Sequence, residues 1–271
     1  MAPKETAAVV REYQTIGAVI DTLAAYKPRA KDASRVEHDE WAGGAWDESL
    51  ELLRDGWISG VPTLTVEAHA KLRENLRPVP VWGVTGSTPD VAAYLAGKPE
   101  CMIEVTRQKR PSPVVRIGVD RAASGSIPRA RMAAVGRNVL IVVESLRLAG
   151  IPAELWACQA VRGMGQGYAN IFDLRVKVQD AGRPVDTSRV AYWIAHPSAL
   201  RRTMFGLEET EKAATRRTWG FGGGYGHGYG VPLIGHAESD FDEWAPGAHS
   251  TDGQLSEWAR EVLGRRAGVD L

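Results

Sequence analysis

Two serine hydroxyls stand where a predicted strand ends and a predicted helix begins. The strand spans residues 114–119, and the turn after it, residues 120–126, contains Ser124 and Ser126 with one glycine between them. Hydroxyl groups in such a turn either accept hydrogen bonds from the backbone amides of the helix N-terminus or contact a bound ligand. The turn is therefore the first place in the chain where binding chemistry is expected.

The two roles of this turn use the surrounding residues differently. A serine N-cap needs only the hydroxyl and the first amides of the helix. Capture of an anion uses the same amides and the positive end of the helix dipole, assisted here by Arg121 and Arg129. Both interpretations stay open from the sequence.

The elements that position this turn form a βαβ unit. After the strand at 114–119, a long amphipathic helix is predicted over about 128–148, and a second apolar strand at 153–158 follows Gly150. Such a crossover joins parallel strands, and open α/β sheets bind ligands beyond the carboxyl ends of their strands. The unit predicts an α/β protein with a mostly parallel central sheet and helices on both faces.

The residues before and after this unit are predicted to add further elements. Apolar residues at helical spacing predict three helices in the N-terminal third, at 7–25, 46–54 and 63–76. Alternation predicts strands at 102–107, as a neighbour of the strand at 114–119, and at 171–178. Asp186 is then expected to cap a helix.

These elements divide the chain into three segments. An N-terminal helical extension, a core that contains the βαβ unit, and a glycine-rich arm with an acidic tail are predicted at 1–99, 100–217 and 218–271.

Residues 218–230 have a composition unlike the rest of the chain, because seven of the thirteen are glycine. Glycine at this density does not maintain a helix or an ordinary strand. Three interpretations stay open: a loop over the crevice, an arm that becomes ordered on a partner protein, or a platform on which nucleic-acid bases stack. The aromatic residues available for such contacts are Trp219, Phe221, Tyr225 and Tyr229.

The charges of the chain sum to a formal net charge of zero but are unevenly distributed. Residues 106–137 contain eight basic residues and one acid, whereas residues 237–262 contain seven acids and one base. The simplest interpretation is that the two surfaces complement each other within one fold or between subunits, and a basic groove for nucleic acid is the alternative. No apolar run is long enough for a membrane span or a signal peptide, so we expect a cytoplasmic protein without a membrane partner.

The spacing of chemically active residues gives no support to several common sites. The histidines and cysteines form no His-x-x-x-His or Cys-x-x-Cys pair, so a zinc site is not predicted. A nucleophile elbow and a phosphate-binding loop of the nucleotidase type are also absent from the sequence. The glycines within 163–167 follow a strand but precede another strand, which disfavours a dinucleotide site. From these patterns we expect that the protein requires no cofactor.

The turn and the order of elements around it resemble the von Willebrand factor A-like domains. In that family the first strand ends in Asp-x-Ser-x-Ser. Here the hydroxyls match at Ser124 and Ser126, but Ala122 occupies the aspartate position and Asp120 lies two residues earlier. A strand after Gly150, an alternating strand and an Asp-capped helix follow in the same order, so the resemblance covers residues 100–215.

This resemblance implies a fold of the von Willebrand A-like type and a role as a protein-binding scaffold. It also implies a possible magnesium or manganese ion, because hard cations take oxygen ligands. The implied ligands are Asp120, Ser124, Ser126 and Asp186. Residues 46–57 and 197–202 resemble uncharacterised proteins of tailed phages and prophages, which implies a viral origin and a location in the host cytoplasm or a virion.

Three functions are expected from these observations, in descending order. The first is a non-enzymatic interaction or assembly protein, encoded by a phage or prophage. Its crevice and aromatic arm would bind a protein partner or another copy of the chain. The second is a nucleic-acid-binding accessory protein of phage replication or packaging, which would use the basic segment and the arm. The third is a hydrolase assisted by a divalent metal ion.

Overall fold

The central sheet of the molecule collects strands from the whole length of the chain. The computed structural model describes residues 8–27, 39–61, 80–105, 113–163, 170–221 and 229–267. In chain order the strands are β1 (Ala8–Tyr13), β2 (Pro80–Gly83), β3 (Thr88–Pro89), β4 (Met102–Val105), β5 (Val115–Asp120), β6 (Ala153–Arg162), β7 (Ile171–Gln179), β8 (Val231–Pro232) and β9 (Glu243–Ala245).

The α-helices lie between and after these strands. In chain order they are α1 (Ile16–Ala25), α2 (Asp39–Ala42), α3 (Trp46–Asp55), α4 (Val91–Leu95), α5 (Arg129–Leu148), α6 (Thr187–Ala195), α7 (Phe205–Glu209), α8 (Ala213–Trp219) and α9 (Asp252–Ala267). A π-helical turn, Ala199–Met204, leads directly into α7. The predicted helix at 63–76 lies outside the described residues.

The central sheet has the order β1-β7-β6-β5-β9, and the short strand β8 pairs with β6. The pairs β1–β7, β5–β6 and β5–β9 are parallel, whereas β6 pairs antiparallel with both β7 and β8. The prediction of an α/β fold with a mostly parallel sheet is confirmed. Because β6 and β7 run in opposite directions, the carboxyl ends of β1 and β7 lie at one edge of the sheet. Those of β5, β6 and β9 lie at the other edge.

One face of the sheet packs against a row of helices. Val115, Ile117 and Val119 of β5 are buried in a core shared with α5 and α6. Contacts run from α1 to α3, from α3 to α6, from α6 to α5, and from α5 to α9, so these five helices form one layer. Gly136 allows α5 and α6 to approach closely, because a Cβ there would come within 2.2 Å of the Ala195 Cβ.

The opposite face of the sheet is polar and has a different cover. Arg116, Gly118 and Asp120 alternate with the apolar residues of β5 and therefore point to this face. In the part of the chain that the structure describes, it is covered by residues 233–244, which include a single 3₁₀ turn. A second layer of helices was expected on this face. Phe241 and Trp244 of this segment instead fill the space above Gly118.

Two sequence expectations are corrected by these pairings. The first half of the helix predicted at 7–25 is the strand β1, whose β-branched residues pair with β7. The strand predicted at 102–107 is β4, but it pairs with β2 and β3 in a separate antiparallel sheet rather than beside β5. The predicted helices at 46–54 and 128–148 correspond to α3 and α5, and Asp186 caps α6 as predicted.

Candidate functional site

The predicted turn lies at the edge where β5, β6 and β9 end. β5 is flanked by parallel β6 on one side and parallel β9 on the other. The chain leaves β5 through the turn towards α5, and it leaves β9 through residues 246–251 towards α9. Both connections therefore meet above the carboxyl ends of parallel strands, which is where open α/β sheets bind ligands. We call this place, formed by residues 120–127 and 246–251 at the carboxyl end of β5, the β5 edge.

Asp120, the last residue of β5, lies buried beneath the β5 edge. Its Oδ1 accepts a hydrogen bond from the Ala122 amide (2.9 Å), and its Oδ2 accepts one from the Gly235 amide (2.8 Å). Gly247 packs directly on it, because a Cβ at that position would approach the Asp120 backbone oxygen to 2.8 Å. Burial raises the pKa of Asp120 to about 6, and the two amide contacts oppose this shift. The carboxyl group thus joins the turn after β5 to the segment that contains Gly235.

The two serines form a hydroxyl pair nearer the surface. The Oγ atoms of Ser124 and Ser126 are 3.1 Å apart, and Ser126 is exposed. The Ser124 amide donates to Nε2 of His249, 3.2 Å away, so the connection after β9 closes over this turn. α5 begins after Pro128 with no side-chain cap, so the serine N-cap interpretation is wrong. His249 was not singled out in the sequence, because no local spacing links it to a residue 125 positions earlier.

The two arginines predicted to assist anion binding occupy different environments. The Arg121 guanidinium is buried, and it donates to the carbonyl oxygens of Ile194 (2.6 Å) and His196 (3.2 Å) at the C-terminal end of α6. It holds the end of that helix and does not reach the surface, so it is unsuited to anion capture. Arg129 is exposed in the first turn of α5.

A tryptophan and a buried arginine support the turn from the N-terminal side. The indole Nε1 of Trp41 donates to the Gly125 carbonyl (2.7 Å). Arg201 lies 4.3 Å from the centroid of the Trp41 ring and donates to the carbonyl oxygens of Trp41 and Ile127. A cation over an indole face is attracted by the ring quadrupole. Neither residue was predicted to belong to the site, because their partners lie 74 or more positions away.

The four implied metal ligands are not brought together. Asp186 caps the N-terminus of α6, whereas Arg121 contacts the opposite end of that nine-residue helix. Since a helix rises 1.5 Å per residue, about 13 Å separates the two ends. Both oxygens of Asp120 already accept backbone amides. The donor set does not fit a hard divalent cation, which needs several converging charged oxygens. Among the described residues, no group of three or more His, Cys, Asp or Glu could hold a metal ion.

The aromatic residues at the start of the glycine-rich segment lie in the core. Trp219 and Phe221 are buried, with their ring centroids 5.8 Å and 4.9 Å from that of Phe172. Tyr229 stacks on Phe205 at 3.8 Å, and its hydroxyl donates to Glu209. Trp219 and Phe221 are thus unavailable for base stacking in the folded protein, because packing covers their faces. Tyr225 lies outside the described residues.

Part of the basic segment contacts the acidic segment within the same chain. Arg131 pairs with Asp252 at 2.6 Å, which joins α5 to α9. The Arg116 amide donates to the carboxylate of Asp242, and its guanidinium donates to the Asp240 carbonyl. These contacts match the interpretation of complementary surfaces in one fold. Arg107, Lys109 and Arg110 lie outside the described residues.

The fold and the β5 edge define a class of protein, an α/β domain with polar groups collected at the carboxyl ends of parallel strands. Within that class, the model of a family described as a domain of unknown function, DUF7192, matches residues 3–252, so the chain belongs to this family. Comparisons with curated proteins and with solved structures found no match. None of the described helices is long and apolar enough to span a membrane.

Proposed function

We propose that this chain is a non-enzymatic binding protein whose β5 edge docks a protein partner. The observation that carries the proposal is the hydroxyl pair of Ser124 and Ser126, which is held near the surface at the carboxyl end of a central strand. Behind it, Asp120 and Arg121 are buried and fixed by backbone hydrogen bonds. A rigid support beneath a small polar surface lowers the entropy lost on binding.

The arrangement of the same residues is unsuited to a serine nucleophile. Such a nucleophile needs a base within hydrogen-bonding reach of its Oγ. The Nε2 atom of His249 instead accepts the backbone amide of Ser124, and the Ser124 Oγ contacts Ser126. Binding therefore accounts for the geometry better than acyl transfer does.

A protein partner suits the described surface better than nucleic acid. Binding to nucleic acid relies on a surface where cations outnumber carboxylates, because the excess cations contact phosphates. Arg131 is already paired with Asp252, and Arg116 with Glu154. Because two of the aromatic rings expected to stack bases are buried as well, the docking of a protein or of a second copy is the better-supported function.

We also infer a distant relation to the von Willebrand A-like fold. The central strand β5 lies between a parallel neighbour on each side, and the turn after β5 carries the two matching serines. Ala122 replaces the aspartate of the metal motif, which agrees with a docking role that uses hydroxyl groups rather than an ion. The likeness supports a scaffold function by analogy only.

The proposal is tested by purifying the tagged full-length chain from a lysate of its native host. The variant Ser126→Arg places a large charged side chain on the docking surface, and Ser256→Arg is the matched control because Ser256 is exposed on α9. We expect a stoichiometric partner, identified by mass spectrometry, with the wild type and the control. We expect at least tenfold less of it with Ser126→Arg. Equal recovery in all three samples would place the docking surface elsewhere.

A second copy as the partner requires a separate measurement. Light scattering after size exclusion gives the mass of the purified chain directly. A dimer that Ser126→Arg converts to a monomer, and Ser256→Arg does not, would identify the occupant as another copy.

A further inference from the structure

We infer that a cavity at the other edge of the sheet binds an organic phosphate. This cavity has a volume of about 290 Å³ and lies where parallel β1 and β7 end. Its lining comes from the end of β7, from the connections after β1 and β7, and from the first turns of α1 and α6: residues 14–17, 177–180, 183, 184, 186 and 189. We call it the β1/β7 cavity. It is independent of the β5 edge, because the reversal between β6 and β7 places the two at opposite ends of the sheet.

Three cationic side chains line the β1/β7 cavity: Lys177, Arg183 and Arg189. Two carboxylates also line it, and both form ion pairs with these cations. Asp180 lies between Lys177 (2.9 Å) and Arg183 (3.8 Å), and Asp186 caps α6 while pairing with Arg189. The lining therefore carries one net positive charge, which favours an anionic ligand.

Two helices begin at the same cavity. α1 starts beside Thr15 and Gly17, and α6 starts at Asp186, so the positive ends of both helix dipoles are directed towards it. Thr15 caps α1 by accepting from the Ala18 amide, and Asp186 caps α6 by accepting from the Arg189 amide, so the phosphate would contact the other amides of each first turn. Helix amides and guanidinium groups together are the usual means of binding phosphate oxygens.

Gln179 extends the recognition beyond a single anion. Its side chain is buried, and its Nε2 donates to the carbonyl oxygens of Asp180 (2.8 Å) and Arg183 (3.0 Å). These contacts fix the amide orientation, and among the described residues no group donates to its Oε1. Gln179 and Arg183 also line an adjoining cavity of about 220 Å³, whose walls include Val143, Ile151 and Val185. The phosphate would lie among the cations, and the organic part would extend along Gln179 towards these apolar walls.

The test is calorimetric titration of the full-length chain with phenyl phosphate, inorganic phosphate and phenol. We expect phenyl phosphate to bind with a stoichiometry of one and at least tenfold more tightly than inorganic phosphate. Phenol should not bind. Equal binding of phenyl phosphate and inorganic phosphate would overturn the organic part of the inference. No binding of phenyl phosphate at millimolar concentration would overturn all of it.

Variants locate the binding to this cavity. The double variant Lys177→Gln/Arg189→Gln should weaken phenyl phosphate at least tenfold, and Arg54→Gln/Arg217→Gln is the control that removes the same charge from exposed positions. If the first pair lowers the melting temperature, Arg183→Gln/Arg189→Gln replaces it, because the Arg183 side chain is 80% exposed whereas that of Lys177 is 17% exposed. Equal affinities in variant and control would refute the assignment. Ser256→Arg, at an exposed position on α9, should bind phenyl phosphate like the wild type.

Discussion

The two carboxyl edges of the central sheet use charge in opposite ways. At the β5 edge, charged groups are buried and bonded to backbone atoms, as Asp120 is to two amides and Arg121 to two carbonyl oxygens. In the β1/β7 cavity, the charged groups pair with each other near solvent, and the side chain of Arg183 is 80% exposed. Buried charges become very costly once a partner is lost, whereas exposed pairs contribute little. The charged groups at the β5 edge therefore stabilise the fold, whereas those of the β1/β7 cavity can be substituted with little loss of stability.

The largest difference between the edges is expected for the removal of one arginine from each. Arg121→Ala leaves the carbonyl oxygens of Ile194 and His196 buried without their donor, which should lower the free energy of unfolding by about 2–4 kcal/mol. Arg183→Ala should change it by less than about 0.5 kcal/mol. Urea denaturation followed by tryptophan fluorescence measures both. Similar losses for the two variants would remove the proposed contrast.

The pH dependence of stability tests whether the charges at the β5 edge are truly buried. Burial raises the pKa of Asp120 from 3.8 to about 6, so its carboxyl group favours the folded state when protonated. This contribution is complete below pH 4 and is lost as the pH rises through 6; a difference of this size corresponds to roughly 3 kcal/mol. Burial lowers the pKa of His196 from 6.5 to about 4, so its contribution is present above pH 6.5 and is lost as the pH falls through 4.

These two contributions change with pH in opposite directions. Removing one of the residues should therefore leave the pH dependence that comes from the other. Relative to the wild type, Asp120→Asn should gain stability as the pH rises from 4 to 7, and His196→Gln should gain it as the pH falls over the same range. Urea midpoints measured at several pH values would show the two trends. Curves parallel to the wild type would mean that these groups are solvated rather than buried.

A smaller effect is expected from adding one methyl group to each edge. Gly247→Ala brings a Cβ to 2.8 Å from the Asp120 backbone oxygen, and the resulting overpacking should cost about 1–3 kcal/mol. Gly182→Ala, in the turn after β7, meets no atom within 4 Å and should be neutral or stabilise by about 0.5 kcal/mol. Differential scanning calorimetry would compare the two variants. A harmless Gly247→Ala would show that Asp120 is less tightly enclosed than described.

The smallest effect is expected for the hydroxyl pair itself. Ser124→Ala/Ser126→Ala removes a contact at the surface, so the free energy of unfolding should change by less than about 0.5 kcal/mol. The same thermal measurement applies. A larger loss would mean that the pair stabilises the fold. Its presence would then be explained without a docking role.

Local sequence patterns were sufficient for the elements that are determined by nearby residues. The βαβ unit of β5, α5 and β6 could be predicted because its apolar runs are long and its turn contains glycine. β1 could not, because residues 8–13 fit a helical pattern as well, and their strand geometry comes from pairing with β7, more than 160 positions away. The short strand β9 was also not predicted, since three residues carry no periodicity.

Only part of the candidate site could be predicted from the same local patterns. Ser124 and Ser126 could be found because strand, turn and helix adjoin in the chain. Gly235 and His249 were not found, since each contacts the turn or Asp120 from more than 100 positions away. Arg121 was expected to assist anion capture, yet its position beside the end of α6 buries it. Long-range contacts of single residues leave no pattern in one sequence.

The antiparallel step between β6 and β7 has a mechanical consequence. β6 contains ten residues, so about 33 Å of extended backbone separates its two ends. A small ligand in the β1/β7 cavity would therefore not contact the hydroxyl pair at the β5 edge. The sheet thus separates the two proposed sites by about the length of one strand, so a change at one of them leaves the contacts of the other in place.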